Sequence, residues 1–185
     1  MSKNLPGTNI ELKTDSRNIA KELLDNLFLS GGLVLSQVTR LTGLAPYEVQ
    51  NWVKRGFLPP PQHKMYDRDQ FCRIVLINML RETVQIDTVT KLLSYINGHL
   101  DDTSDDLIRD SELYNYYVNL LCMMGEHLPD KDDLRNHIRY ATSDYEEKAE
   151  GGRQRLYTVL EIMLYTYYAS QMRGHAETML KQLEE

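Results

Sequence analysis

The stretch that most constrains this chain runs from Leu33 to Tyr66, LVLSQVTRLTGLAPYEVQNWVKRGFLPPPQHKMY. Its apolar residues recur at helical spacing on both sides of a glycine, which predicts two short helices with a stop between them. Ser36 is a suitable N-cap for the first, whose apolar face is Val38 and Leu41. Gly43 falls where a helix ends in a left-handed residue, a conformation that glycine adopts without a Cβ clash. Pro46 falls in the first turn of the second helix, where its missing N–H costs nothing. Val49, Trp52 and Val53 are spaced i, i+3, i+4 and face inward, which leaves Tyr47, Gln50, Asn51 and Lys54 outside. Gln and Asn amides bond bidentately to adenine, and Lys meets phosphate or guanine. Pro59-Pro60-Pro61 stiffens the chain that follows, and His63-Lys64 makes it basic. Two short helices and a basic hairpin are the layout of a winged helix-turn-helix, which places one helix in a DNA groove.

The same residues resemble the MerR family of bacterial transcription regulators. Leu41-Thr42-Gly43 and Leu44-Ala45-Pro46 match the family's turn, and Val49-Gln50-Asn51-Trp52 fills its recognition-helix segment. Gly56-Phe57-Leu58-Pro59 matches the entry to the wing and His63-Lys64-Met65-Tyr66 its close. The match continues through Leu93. Gln50 and Asn51 stand where the family carries an arginine and an aromatic that meet phosphate, and Lys64 replaces the wing arginine. Those departures imply weaker or differently aimed contacts. The whole chain also resembles a bacterial family of uncharacterised function that carries such a domain.

The rest of the chain reads as helical, which gives a mainly all-α protein with a small β wing. Residues 1–13 are polar and read as a loose arm. A helix from about Ser16 to Leu29 follows and completes an N-terminal segment, 1–30. Asp67 and Gln70 form a capping-box pair that opens a helix to about Arg81. Asp87 reads as the N-cap of another helix, closed by Asn97-Gly98, so the head spans 31–98. Asp101 to Asp106 is the domain boundary. The third region, 99–185, holds helices over 106–124 and 130–148 and a long last one over 154–185. In the last, Leu156, Leu160, Met163 and Tyr167 form one heptad-like run, and Met172, Ala176, Met179 and Leu183 another. That seam predicts a homodimer through the C-terminal helices, with folding back into a monomeric bundle as the competing outcome.

Net charge is −6, but it is unevenly distributed. Residues 31–97 carry 8 Lys/Arg against 5 Asp/Glu, and residues 98–185 carry 9 against 18. The reading head is therefore basic while the body repels phosphate. The DNA-contact candidates are Arg40, Tyr47, Gln50, Asn51, Lys54, Arg55, His63, Lys64 and Arg68. Trp52 is a core anchor rather than a stacking residue, because it shares a face with Val49. Nine of the 12 tyrosines and five of the eight methionines lie in the C-terminal region. They suit a core, a dimer interface or a small-molecule effector site.

Cys72 and Cys122 are far apart and lack metal-ligand spacing, and Cys122 with His127 has no second pair, so no metal or cofactor is expected. No nucleophile elbow, phosphate-binding glycine loop or zinc-protease helix occurs, which argues against an enzyme. No apolar run approaches a membrane span and no signal region is evident, so a reduced, cytoplasmic protein is expected. The expected function is sequence-specific binding of double-stranded DNA by a transcription regulator of MerR-like type. The alternatives are a helical protein-interaction module whose winged fold no longer binds DNA, and an excisionase-like architectural DNA binder.

Overall fold

The computed structural model describes residues 3–12, 18–100, 105–125 and 127–183. Among them are eight helices and two two-stranded antiparallel sheets. The mainly helical reading therefore holds. One sheet pairs β1 (Lys3–Asn4) with β2 (Glu11–Leu12), and the other pairs β3 (Leu33–Val34) with β4 (Met65–Tyr66). The helices are α1 (Ile19–Leu27), α2 (Leu35–Thr42), α3 (Pro46–Lys54), α4 (Arg68–Leu80), α5 (Ile86–Asn97), α6 (Asp110–Met124), α7 (Lys131–Ala141) and α8 (Gly152–Gln182).

Helix α4 is the axis of the molecule. Its residues Gln70 to Ile77 are all buried, so it is covered on every side rather than along one stripe. The segment FCRIVLI has no polar face to offer water except through Arg73. Helices α2, α5, α6 and α8 pack around it, and α1 packs against α6. The hydrophobic core is continuous from Leu5 to Leu164. It joins the head to the helices after it, through contacts such as Leu107 N–H donating to the Ile96 carbonyl at 3.3 Å.

The N-terminal segment is not the loose arm its polarity suggests. It forms the β1–β2 hairpin, with Leu5 fully buried. Asn9 N–H donates to the Leu41 carbonyl at 2.7 Å, and Tyr114 O–H donates to the Pro6 carbonyl at 2.6 Å. Gly7 turns the hairpin at φ +74°, and a Cβ there would lie 2.5 Å from Met79 Cγ. Only glycine allows both the turn and the approach to α4. The deciding contacts come from residues more than thirty positions away, and local composition does not reveal them.

Several helix ends also differ from expectation. Helix α2 begins at Leu35, so Ser36 lies inside its first turn; Gln37 Oε1 caps the end by accepting from Val34 N–H at 2.9 Å. Helix α5 is capped at Gln85, which puts Asp87 in its first turn. Helix α6 starts at Asp110 rather than 106, and α7 ends at Ala141 rather than 148. Residues 101–104 of the expected boundary lie outside the described residues. Gly43 and Pro46 behave as read: φ at Gly43 is 74°, and Pro46 opens α3. The Asp67–Gln70 capping box is present, with Gln70 N–H donating to Asp67 Oδ1 at 2.8 Å.

Helix α8 has 31 residues, which makes it about 46 Å long. Leu156, Leu160 and Met163 are fully buried in the protein's own core. These three positions of the expected intermolecular seam are therefore used within the chain. From Gln171 to Leu183 every residue is exposed. Among the described residues, no helix is long and apolar enough to cross a membrane.

Candidate nucleic-acid interface

Helix α3 is fixed from both ends of its buried face. Ala45 N–H donates to Glu48 Oε2 at 2.9 Å, which caps the helix, and Arg81 Nη1 donates to Glu48 Oε1 at 2.8 Å. The Ala45 N–H and then Arg81 hold the Glu48 carboxyl below its ordinary range, against an opposing effect of burial. The Arg81 guanidinium also lies over the Trp52 ring, 5.2 Å from its centroid. Val49 and Trp52 are buried beneath. Tyr47, Gln50, Asn51 and Lys54, spaced i, i+3, i+4, i+7, are left on one exposed face, with Tyr47 71% accessible.

The turn beside this helix is anchored by long-range pairing of β3 with β4. Leu33 pairs with Tyr66 and Val34 with Met65, so the strand before α2 fastens the strand after the prolines. Gly32 permits this closeness, since a Cβ there would lie 2.8 Å from the Tyr66 carbonyl oxygen. Gln70 Nε2 donates to the Pro60 carbonyl at 2.9 Å and pins the proline run to α4. At the tip, Met65 N–H donates to the Gln62 carbonyl at 2.8 Å, and His63 and Lys64 take φ of 50° and 66°. Two positive φ values in succession are what a tight type I′ turn demands, usually of Asn-Gly. Here an imidazole and an ammonium are held exposed at that turn instead.

The nine residues singled out from the sequence divide into two groups. Arg40, Tyr47, Gln50, Asn51, Lys54, His63 and Lys64 are exposed. Arg55 is exposed too, but it bonds to Asp87 at 3.2 Å and lies over the Phe57 ring, 4.3 Å from its centroid. Arg68 is half-buried and bonded to the Asp25 carboxylate and, at 3.4 Å, to the Lys21 carbonyl. It holds α1 against the head. Its partner Asp25 is held below the ordinary carboxylate range, by Lys21 first and Arg68 second.

Sequence reasoning missed a buried polar network beneath the head. Arg73 Nε donates to the Phe57 carbonyl at 3.0 Å, and its Nη1 meets Asp110 Oδ2 at 3.1 Å. Asn97 Nδ2 donates to Asp110 Oδ1 at 3.1 Å. The two charged side chains are only 4% and 11% accessible. The network ties the segment after α3 to the end of α5 and the start of α6. A lone arginine inside FCRIVLI was its only sequence signal. Beside it opens a cleft of about 700 Å³, walled by Pro59 to Pro61 on one side and Asp106, Arg109 and Asp110 on the other. Of the C-terminal tyrosines, Tyr114 and Tyr117 are buried and Tyr145 and Tyr168 nearly so, while Tyr167 lines a smaller cleft of about 230 Å³ with Leu5, Leu121 and Gln171. Among the described residues, no group of three or more His, Cys, Asp or Glu is arranged to hold a metal ion.

Residues 24–117, half of the chain, match the family described as a domain of unknown function, DUF1836. The chain belongs to that family. Comparison with curated proteins and with solved structures returned no significant match. The DUF1836 segment begins inside α1 and ends inside α6, so it contains the two-helix head, the hairpin, α4, α5 and all three residues of the Arg73–Asp110–Asn97 network. Helices α7 and α8 lie beyond it.

Proposed function

We propose that this protein is a sequence-specific DNA-binding regulator, with α2 and α3 as a helix-turn-helix and the Gln62–Met65 turn, held by the β3–β4 pair, as its wing. The exposed face of α3 carries the reading. It presents two carboxamides, Gln50 and Asn51, flanked by Tyr47 and Lys54, on a helix whose opposite face is locked into the core. Carboxamides on a rigid helix suit adenine edges, and Lys54, Arg40 and the Lys64 turn suit phosphates on either side. The internal pairing of Arg55 and Arg68 leaves few cations for the backbone, so non-specific affinity is low. Selection of genomic fragments at low salt, followed by affinity against salt concentration, tests this. Lys54→Ala with Lys64→Ala should lower the salt slope by about 2 units on any sequence. Asn51→Ala should cost about 1–3 kcal/mol on the enriched site. If no fragment is enriched, the reading fails. The protein-interaction alternative gains, since the pairing of both arginines and the exposed Tyr47 fit it as well.

The regulator acts as a dimer, and α8 supplies the surface. Ile162, Tyr165, Ala169, Met172, Ala176, Met179 and Leu183 are spaced 3, 4, 3, 4, 3, 4 on its outer face. Met172 is 67% accessible and Leu183 82%, with Ile162 and Tyr165 each 41% accessible. Two copies laid antiparallel about a point between Ser170 and Gln171 bring Tyr165 opposite Ala176, Met172 opposite Ala169 and Ile162 opposite Met179. In the first two pairs a large side chain meets a small one, and in the third two flexible apolar side chains meet, a packing that close helix pairing accommodates. Light scattering should give a dimer for the intact chain and a monomer for Met172→Glu with Met179→Glu. A dimer that survives those changes places the interface elsewhere.

A further inference from the structure

The connection from α4 to α5 joins two parts of the molecule that are far apart in the chain. On one side it faces α3 across a cleft of about 400 Å³, lined by Tyr47, Asn51 and Arg55 from the helix and by Arg81, Val84 and Ile86 from the connection. Two ion pairs bridge that gap. Arg81 Nη1 donates to Glu48 Oε1 at 2.8 Å near the start of α3, and Arg55 Nη2 donates to Asp87 Oδ1 at 3.2 Å at its end. Glu48 also caps α3 through the Ala45 N–H, so a shift of Arg81 reaches the first turn of that helix directly. Arg81 Nε donates to Asn78 Oδ1 at 3.2 Å, and Asn78 Nδ2 donates to the Thr42 carbonyl, at the end of α2, at 3.3 Å. Both helices of the head are thus referred to this one connection.

On its other side α8 grips the next two residues. The Ser170 hydroxyl donates to the Glu82 carboxylate, Arg173 Nη1 donates to the Glu82 carbonyl, and Thr83 Oγ1 donates to the Thr166 carbonyl at 3.3 Å. Thr166, Ser170 and Arg173 are spaced i, i+4, i+7 and form one edge of the helix. We propose that this edge of α8 is a positioning clasp for the reading helix: it fixes Glu82 and Thr83, and through Arg81 and Asp87 it sets the tilt of α3.

The place of the clasp gives it a regulator. The axis about which two copies of α8 are proposed to pair falls between Ser170 and Gln171, so a second copy meets α8 where it holds Glu82. Pairing steadies the exposed end of α8 and with it the clasp, and by linkage assembly and reading favour each other. This step rests on the reading of the protein as a dimeric DNA binder, whereas the clasp itself does not.

The experiment uses the full chain, isotope-labelled for NMR and free of DNA. Ser170→Ala with Arg173→Ala removes two of the three bonds, at positions that lie outside the core. The Ala45 amide, Trp52 indole and Arg81 Nε–H signals should shift, and the Arg81 Nε–H should exchange with water about threefold to tenfold faster. Signals of α1 and α7 should stay in place. Ser170→Thr with Arg173→Lys keeps a donor at each position and should restore the parent signals at Ala45 and Trp52. His175→Ala, exposed further along α8, should change none of them. On the enriched DNA fragment the double alanine variant should lose affinity about threefold to tenfold at an unchanged salt slope, because no phosphate contact is removed. Unmoved Ala45 and Trp52 signals, shifts spread equally over α1 and α7, or failure of the conservative pair to restore the signals would each overturn the clasp. A lower salt slope would make Arg173 a phosphate contact and overturn it too. Met172→Glu with Met179→Glu should move the same signals in the same direction; monomers whose signals stay in place would overturn the regulation by pairing. Absence of any enriched DNA discards the reading of the head, while the spectra still decide the clasp.

Discussion

Arg73 should be among the most sensitive positions in the chain. Its guanidinium is almost wholly buried, meets Asp110 Oδ2 at 3.1 Å and satisfies the Phe57 carbonyl at 3.0 Å. Arg73→Met keeps most of the apolar stem but leaves a buried carboxylate and a carbonyl without their donor. Removing one partner of a buried pair costs about 3–5 kcal/mol, a large part of the total stability of an ordinary domain. Asp110→Asn in the same protein removes the stranded charge while it can still accept from Asn97. The double variant should therefore recover much of the loss, with a coupling energy of about 2–3 kcal/mol. Urea unfolding of the four proteins of the cycle measures this, with unchanged m-values as the check on two-state behaviour. The pH dependence has a definite sign. Burial raises the Asp110 carboxyl above 3.8, and Arg73 opposes that rise. Without Arg73 the folded state favours protonated Asp110 more strongly, so stability is greatest below the unfolded carboxylate value and is lost as pH rises toward the elevated folded one. Arg73→Met should thus be least harmful in acid, and Asp110→Asn should abolish that trend. A cost below about 1 kcal/mol, or additive single effects, would refute the account of the pair as a buried, mutually dependent unit.

Three further substitutions test other parts of the structure. Trp52→Ala removes a buried ring that also carries the Arg81 guanidinium, and should cost about 3–5 kcal/mol in thermal or urea unfolding. Unchanged melting would make Trp52 a surface residue. Leu5→Ala should cost about 2–5 kcal/mol, because Leu5 is fully buried in the core; a loose N-terminal arm would leave melting unaltered. Changing His63 to Asn and Lys64 to Gly relieves two left-handed residues that cost about 1–2 kcal/mol each. The double change should stabilise the protein by about 1–2 kcal/mol, and no gain in stability would show that the turn relaxes otherwise.

The parts of the fold that were legible in the sequence were those decided by neighbours in the chain. Gly43 and Pro46 set the turn between α2 and α3 by backbone conformation alone, and Val49 and Trp52 set the inner face of α3 by period. The Asp67–Gln70 cap closes over three residues. What escaped was decided at a distance. Leu5 is buried because Tyr114, Leu41 and Met79 surround its hairpin. Arg68 appeared to be one more cation of a basic cluster until α1 brought Asp25 to it. The stripe of Ile162, Tyr165 and Ala169 cannot be told from that of Leu156, Leu160 and Met163 by spacing, and only the packed body shows which of the two faces inward.

The all-round burial of α4 has a consequence for how the molecule opens. A helix wetted along one side can detach with the element above it, but α4 contributes side chains to the head and to α6 and α8 at once. The amides of Phe71 to Ile77 should therefore exchange with deuterium only through complete unfolding, at the same free energy as those of α6. A fragment cut at 98 would bare the flank of α4 that α6 and α8 cover, and would aggregate rather than survive as a detachable domain. The head is one face of a single cooperative unit, so a perturbation of α6 changes the stability of the surface that α3 presents.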